Sequence, residues 1–211
     1  MKRVVVGCLT FMLALLLTNC SSEPAQKGTS SSSQTAAKQP EYLTGRSAFQ
    51  QLYISARSWA ADVRPFRLQS QFTADAPTSH GQSGLWRGSF ASPAKRSMKL
   101  FVWSGLTGPD TPVRGVSFSA EDTWNPSNNS TAVFDPLFLK IDSDQAYETA
   151  QKHGGEKLTK QDPKQPVFFV LDWNGQENKL IWHVVYGSSQ DEAKLRVAVD
   201  ATTGQFLKVE Q

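Results

Sequence analysis

The side chains that could carry out catalysis in this sequence are few and widely spaced. The three histidines, His80, His153 and His183, are scattered along the chain, and none has a partner at the spacing of a metal site. The sequence has no G-x-S-x-G, H-E-x-x-H or glycine-rich phosphate loop. Enzymes need a nucleophile with a base, paired carboxylates or metal ligands. We therefore predict that the protein is not an enzyme and binds no metal or cofactor.

Carboxylates provide two further candidates for acid–base chemistry. Glu121 and Asp122 form an adjacent pair in a predicted polar loop, where two acids are usually solvated and not catalytic. Asp200 follows an alternating segment and precedes Gly204. A short carboxylate at that position accepts from backbone N–H groups two or three residues later, and glycine tolerates a positive φ. Asp200 and Gly204 are therefore predicted to form a structural turn.

The thiol of Cys20 is the remaining reactive group, and its setting indicates export. Lys2 and Arg3 precede an apolar run over residues 4–17, which is shorter than the ~20 residues of a spanning helix. Residues 17–20, Leu-Thr-Asn-Cys, resemble the lipobox of bacterial lipoproteins. The resemblance implies cleavage before Cys20 and acylation of its thiol and new amine. The alternative is an ordinary signal peptide with an incidental cysteine.

The lipobox resemblance sets the order of the N-terminal segments. Residues 1–19 are expected to be the signal peptide, and residues 20–40 the lipidated cysteine and a flexible Ser/Thr-rich linker that cannot bury a core. Cys20 has no partner cysteine in the mature chain, which suits an anchor that needs none. Ser21 follows it and resembles the sorting pattern for the outer membrane. We expect a lipid-anchored protein of the cell envelope, facing the periplasm.

The charge of the chain argues against nucleic acid as a partner. Removing the signal peptide takes away Lys2 and Arg3 and no acid, so the formal excess falls from +3 to +1. No block of Lys and Arg stands out in the remainder. Nucleic-acid binding normally depends on a basic patch, so it is not expected here.

The remaining residues predict an α+β fold made of two similar units, 41–135 and 136–211. Each would have one helix packed on a small antiparallel sheet. Ser47 and Gln50 are typical of the start of the first helix, and Asp142 and Gln145 of the second, which is expected to end at residues 153–155. After the first helix, Phe66, Leu68 and Phe72 alternate with polar residues as in a strand. Further strand-like segments, separated by turn residues, are listed here by range: 85–91, 98–104 and 113–119, then, after the second helix, 167–173, 179–186, 194–200 and 205–210.

Two pairs of segments suggest that the second unit repeats the first. Residues 86–90 and 182–186 each begin with Trp and end with another aromatic residue. Each is followed by a Lys-Leu-x-Val segment, at residues 99–102 and 194–197. The alternative is a chance likeness between two strand-rich halves. We interpret the pairs as a weak internal repeat.

The second unit resembles the PepSY family. The similarity covers residues 144–155, 166–173, 180–186 and, most specifically, the segment Val-Asp-Ala-Thr-Thr-Gly-Gln-Phe-Leu at 199–207. The first unit looks like a diverged copy, since no Asp-Ala-x-Thr-Gly turn follows Trp103. The resemblance implies a small non-catalytic α+β module in exported or membrane-tethered bacterial proteins, often one that binds or restrains peptidases.

Two functions fit these observations. The first is a binding or regulatory module for a protein of the envelope. The second is a glycan or cell-wall binder that uses Trp124 and Trp173, which lie in a predicted polar loop and at a predicted strand end. Exposed tryptophans are good anchors for a partner. Loop tryptophans also fold back onto a core, and that interpretation stays open at this point.

The lipobox-like segment leads to a first prediction. Replacement of Cys20 by serine should release the chain from membranes, because several acyl chains at ~0.8 kcal/mol per buried CH₂ provide a stable anchor. Fractionation and labelling with a fatty-acid analogue measure this. Unchanged membrane retention together with unchanged labelling in Cys20→Ser contradicts lipidation at this residue.

Overall fold

The described chain forms two series of elements, each with a helix followed by four long strands. The computed structural model describes residues 39–72, 78 and 80–210, so the signal peptide, Cys20 and most of the linker lie outside the described residues. The first series is β1 (Leu43–Thr44), α1 (Gly45–Trp59), β2 (Arg64–Ser70), β3 (Gln82–Ser83), β4 (Leu85–Ser92), β5 (Ser97–Ser104), β6 (Gly115–Phe118) and β7 (Asp122–Thr123). Two 3₁₀ turns, Asn129–Thr131 and Pro136–Phe138, lead to the second series. It is α2 (Ser143–Ala150), a π-helical segment (Gln151–Gly155), α3 (Glu156–Gln161), β8 (Val167–Asn174), β9 (Lys179–Tyr186), β10 (Leu195–Asp200) and β11 (Phe206–Glu210).

One large antiparallel sheet contains most of the strands, so the fold is α+β. Its order is β11-β10-β9-β8-β2-β4-β5-β6, with β7 also paired to β5, while β1 and β3 form a separate two-stranded ladder. The prediction of a small sheet in each unit differs from this, because β2 and β8 pair directly and place Leu68 opposite Leu171. These strands are about a hundred residues apart in sequence. No local pattern marks such a pairing.

The long strands are arranged in the same way on both sides of the β2–β8 pair. On one side α1 precedes β2, β4, β5 and β6, and on the other side α2 precedes β8, β9, β10 and β11. Trp86 lies on β4 and Trp182 on β9, each the second long strand after its helix. Their indole N–H groups donate to Leu43 O and Ile141 O, both at 2.9 Å. Each of these carbonyls belongs to the residue two positions before the helix.

The first turns of α1 and α2 are joined by hydrogen bonds. Thr44 Oγ1 donates to Asp142 Oδ2 at 2.7 Å, and Arg46 N donates to Asp142 Oδ1 at 2.8 Å. Gly45 N donates to Ser143 Oγ at 2.7 Å. We call these five residues the helix junction. The first N–H groups of a helix have no partner inside it, and here the second helix supplies the acceptors for the first.

The tryptophan pair packs directly beside the helix junction. The Trp86 and Trp182 rings are fully buried and meet edge to face, with centroids 6.4 Å apart. A Cβ at Gly45 would lie 2.5 Å from Trp182 Cη2 and 3.2 Å from Trp86 Cη2. Glycine is therefore required at the start of α1 because both rings approach its backbone.

The start of α1 differs from the one that the sequence predicts. Helix α1 begins at Gly45, so the cap expected from Ser47 and Gln50 is wrong, since Asp142 lies at the helix start instead. The end predicted for the second helix at residues 153–155 agrees with the structure, because His153 and Gly154 have non-helical φ and ψ there, with Gly154 at φ 113°. A separate helix, α3, follows this kink. A positive φ breaks the helical hydrogen-bond pattern locally, but the chain resumes a helix beyond it.

The main core lies between the helices and one face of the sheet. It combines large aromatic residues of the strands with small and aliphatic residues of the helices. Its buried members include Leu52, Trp86, Phe90, Phe101, Ala146, Phe169, Trp182 and Tyr186. The opposite face has only small apolar clusters, one of which contains Phe168, Val170 and Val185. That second face is therefore the one where polar side chains can gather.

Candidate functional site

Five charged residues cross the face of the sheet that points away from the helices. They are Arg67 on β2, Asp172 on β8, His183 on β9, Arg196 on β10 and Glu210 on β11. We call this set the charged row. It spans five neighbouring strands, so it links the first series of elements to the second.

Strand alternation and register bring the charged row together. Leu171 packs in the core on the helix side, and its neighbour Asp172 therefore points to the other face. Arg67 lies directly opposite Asp172, and its Nη2 is 2.9 Å from Asp172 Oδ2. Arg196 lies directly opposite Glu210, with Nε 2.7 Å from Glu210 Oε2, although this ion pair is not aligned as a hydrogen bond.

His183 connects the two ion pairs. Its Nε2 is 3.2 Å from Asp172 Oδ1, and its Nδ1 is 2.6 Å from Glu210 Oε2. The second contact passes over β10, where Ala198 stands opposite His183. Because the alanine side chain is only a methyl group, the imidazole can reach Glu210 two strands away. A larger residue at this position would separate the two halves of the row.

Electrostatics favours the charged form of His183. The imidazole is buried, with 6 % of the residue exposed. Burial by itself lowers the pKa of His183, but hydrogen bonds and charge from Asp172 and Glu210 outweigh burial, so the pKa lies above the usual value. Only a protonated imidazole can donate to both carboxylates at once. A neutral ring would leave one carboxylate facing a lone pair.

The two carboxylates are shifted in the opposite direction. Burial raises the pKa of Asp172, but His183 and Arg67 outweigh it and lower the pKa to about 2. Burial likewise raises the pKa of Glu210, and His183, Arg196 and Lys208 reverse the effect, so that the pKa is lowered. Both acids therefore remain ionised at neutral pH.

An open pocket of about 560 Å³ lies over the charged row. Asp172, His183 and Arg196 line it on the sheet, and the β8–β9 turn and the 3₁₀ turn at Asn129 contribute the remaining walls. A pocket of this volume is large enough for a small organic ligand. It is the place where the charged row is accessible to a molecule in solution.

The row could act as an acid–base centre only if a ring nitrogen were free. Both nitrogens of His183 already contact carboxylates, and no hydroxyl or thiol of a described residue is within hydrogen-bond distance of the ring. The arrangement therefore stabilises a charged imidazole between two carboxylates and is not suited to transferring a proton to a substrate. Among residues 39–72, 78 and 80–210, no group of three or more His, Cys, Asp or Glu has a geometry that could hold a metal ion.

The two tryptophans considered as binding residues lie in different surroundings. Trp124 is 6 % exposed, and its indole N–H donates to Thr131 O at 3.3 Å. Of the two interpretations left open for this loop tryptophan, the structure therefore shows the one in which the loop folds back, and the exposed binding position is wrong for Trp124. Trp173 is half-buried on β8 and packs against Phe138, with ring centroids 5.3 Å apart.

Asp200 and Gly204 lie together in the turn between β10 and β11. Asp200 Oδ1 accepts from Thr202 N at 2.8 Å and from Thr203 N at 3.1 Å. Gly204 has a φ of 78°, and its N–H donates to Asp200 O at 2.8 Å. The carboxylate of Asp200 also lies 3.5 Å from Lys179 Nζ. All of these contacts are structural.

The Glu121–Asp122 pair is also engaged in structural contacts. Glu121 Oε1 accepts from Trp59 Nε1 at 2.7 Å, and its Oε2 accepts from Ser97 Oγ at 3.0 Å. Asp122 belongs to the short strand β7. The pair therefore fixes the edge of the sheet near the end of α1.

The charged row was not predicted from the sequence. Asp172, His183 and Arg196 each have the phase opposite to the core residues of their strand, which is a usable signal. Glu210 lacks this signal, because a bulge separates it from the core residue Phe206. The signal is incomplete because the strands must first be aligned in register. A shift of one residue in any strand would turn its charged side chain to the helix side.

The sequence matches no model of a known protein family, and no curated protein matches it. A similar fold occurs in a crystal structure of a protein from Clostridium difficile 630, described provisionally as a lipoprotein. The TM-score is 0.51 at 13 % sequence identity, over 77 % of this chain and 91 % of that chain. At this identity the likeness concerns the fold alone. No helix within the described ranges is long and apolar enough to cross a membrane.

The pKa shift of His183 predicts a pH dependence of stability. A group whose pKa is raised on folding stabilises the protein fully below its unfolded pKa, near 6.5, and this contribution is lost as the pH rises through the folded pKa. The free energy of unfolding should therefore fall above about pH 6.5. Urea unfolding across pH 5 to 9 measures this.

The matched variant is His183→Gln, which keeps a polar side chain but cannot titrate. Its stability should be lower than that of the wild type at pH 6 and nearly constant over the same range. His80 and His153 remain in both proteins and serve as internal controls. The same slope in both proteins would show that His183 is not the titrating group.

Proposed function

We propose that this protein is a lipid-anchored envelope lipoprotein whose domain, built of two PepSY-like units, binds a protein partner and performs no catalysis. The outer membrane, facing the periplasm, is the location proposed for the anchor. The single observation that carries the binding role is that the large sheet ends in two strands, β6 and β11, each paired on one side only among the described residues.

The lipoprotein assignment is supported by the N-terminal pattern and by the fold comparison. The pattern predicts a signal peptide, lipidation of Cys20 and a linker that reaches to residue 40. The protein of similar fold is itself described provisionally as a lipoprotein. The composition of residues 20–40 predicts a flexible linker, which would increase the effective concentration of the domain for other molecules held at the same membrane, so a weak interface would suffice.

The proposal of two related units is supported by equivalent contacts in both series of elements. Trp86 and Trp182 occupy the second long strand of their series and donate to equivalent carbonyls before α1 and α2. Each helix is followed by four long strands that pair in sequence order, apart from the two-residue strands β1, β3 and β7. The resemblance of segments within residues 144–207 to the PepSY family supports the proposal that the second unit is PepSY-like.

A free sheet edge is suited to binding an extended segment of another protein. The N–H and C=O groups on the outer side of an edge strand can pair with an added strand. On β11 the exposed apolar residue is Val209, of which 50 % is exposed. On β6 it is Phe118, of which 64 % is exposed. Each of these two strands therefore has unpaired backbone N–H and C=O groups and an exposed apolar side chain that could contact an added strand.

The non-catalytic part of the proposal is supported by the charged row. The imidazole of His183 has a carboxylate at each nitrogen, which leaves neither nitrogen for a substrate. The glycan alternative has weaker support, because Trp124 is buried and Trp173 packs against Phe138. No pair of exposed tryptophans flanks a groove among the described residues. A protein partner is therefore the function that we propose.

Site-specific photo-crosslinking in intact envelopes tests strand addition. A photoreactive amino acid at Val209 on β11 or at Phe118 on β6 should give a discrete adduct, because a strand added to that edge would lie within contact distance. The matched control is Ile54, which is 69 % exposed on α1 and belongs to no sheet edge. Adducts are detected by immunoblot and mass spectrometry.

Three outcomes would contradict the proposal. Equal labelling from Val209, Phe118 and Ile54 would indicate random encounters and not docking at an edge. An edge adduct that does not decrease in the Cys20→Ser variant would show that membrane tethering does not help binding. Turnover of peptide, ester or glycan substrates by the purified chain, abolished by a substitution in the charged row, would identify an enzyme instead.

A further inference from the structure

We propose that the pocket over Asp172, His183 and Arg196 binds a carboxylate, either of a small organic acid or of a peptide C-terminus. The proposal does not depend on strand addition at the sheet edge. It rests on which hydrogen-bonding groups around the pocket are already used and which remain available.

The acceptors of Asp172 and Asn174, which line the pocket, already have partners. Asp172 uses Oδ1 for His183 and Oδ2 for Arg67. Asn174 Oδ1 accepts from the backbone N–H groups of Gln176 and Glu177, both at 3.0 Å. An ammonium group at Asp172 would lie beside the positive charges of His183 and Arg67, which repel it. The pocket does not favour a cation.

The donors around the pocket are available. The only partner of Arg196 among the described residues is Glu210, which lies beside Nε, so the two Nη groups remain for a ligand. The Arg196 side chain is 28 % exposed. Asn129 and Gln176 are exposed at the rim and carry side-chain amides. A guanidinium with free Nη groups matches the two oxygens of a carboxylate.

The charge of the row selects an anion of low charge. With His183 protonated, Arg67, His183 and Arg196 are positive, and Asp172 and Glu210 are negative, which leaves one positive charge in excess. A single carboxylate neutralises that charge. A group with two negative charges, such as phosphate, would leave one negative charge in excess beside the negatively charged Asp172. The row therefore favours a monoanion.

The pocket is large enough for a ligand that is bigger than a carboxylate group alone. Its volume of about 560 Å³ lies within the range of pockets that hold small organic ligands. The pocket is open to solvent at the rim formed by Gly175 and Gln176, so a longer chain can leave the pocket while its carboxylate stays at Arg196. Both a free acid and a peptide end fit this geometry.

Titration of the full chain, purified in a mild nonionic detergent, tests the proposal. The probes are acetate, an acetylated tripeptide with a free C-terminus, the same tripeptide amidated, and inorganic phosphate. Amide chemical shifts of Asn129 and Gln176 report binding at the pocket. Saturable shifts are expected with the free acids, and none with the amidated peptide. Tighter binding of the free tripeptide than of acetate identifies a peptide end, and equal binding identifies a small acid.

Arg196→Gln should weaken binding of the free acids by about tenfold, because it removes a charge-assisted contact. The matched control is Arg87→Gln, an exposed arginine that strand alternation places on the same face, outside the pocket. It should leave binding unchanged. If Arg196→Gln unfolds, Asn129→Asp replaces it and should also weaken binding by adding a negative charge at the rim, whereas Asn129→Ser should have little effect. Equal binding of acid and amide, tighter binding of phosphate, or unchanged binding in both the Arg196 and Asn129→Asp variants overturns the proposal.

Discussion

The fold depends on the helix junction, where α2 caps α1. Helix α1 has no side-chain cap of its own at Thr44, and its first N–H groups would lack partners without Asp142 and Ser143. Asp142 also caps α2 through a reciprocal pair with Gln145. One carboxylate therefore serves two helix starts, where negative charge is favoured by both helix dipoles. The relative position of the two helices is set by this shared acceptor.

The rest of the domain is built around that junction. The Trp86 and Trp182 rings pack against Gly45, and their N–H groups hold the backbone just before each helix. These rings belong to β4 and β9, which flank the central β2–β8 pair. Packing on the helix side therefore fixes the register of the strands at the centre of the sheet. The same register aligns the charged row on the opposite face, so the candidate site depends on contacts made through the sheet.

Local elements were predictable from the sequence because their causes are local. Period-two alternation marks β10, and a continuous apolar run marks β9. The turn after β10 has Asp200 where a side chain accepts from backbone N–H groups and Gly204 where φ is positive. The β2–β8 pairing, the capping of α1 by Asp142 and the charged row were not predictable, since each depends on residues about thirty to a hundred positions apart. For Trp124 the sequence offered burial and exposure as alternatives and could not decide between them, because the polar residues around the indole are compatible with both.

The most direct test of the helix junction is the free energy of unfolding of Asp142→Ala, measured in urea by tryptophan fluorescence and circular dichroism. The control is Asp144→Ala, the acid in the first turn of α2 that accepts only from Gln145 N in its own turn. Since Asp142 caps two helices, its loss should cost about 2–4 kcal/mol, roughly twice a single cap, and more than the control. A destabilisation no greater than that of Asp144→Ala would show that the two helix starts do not depend on one shared carboxylate.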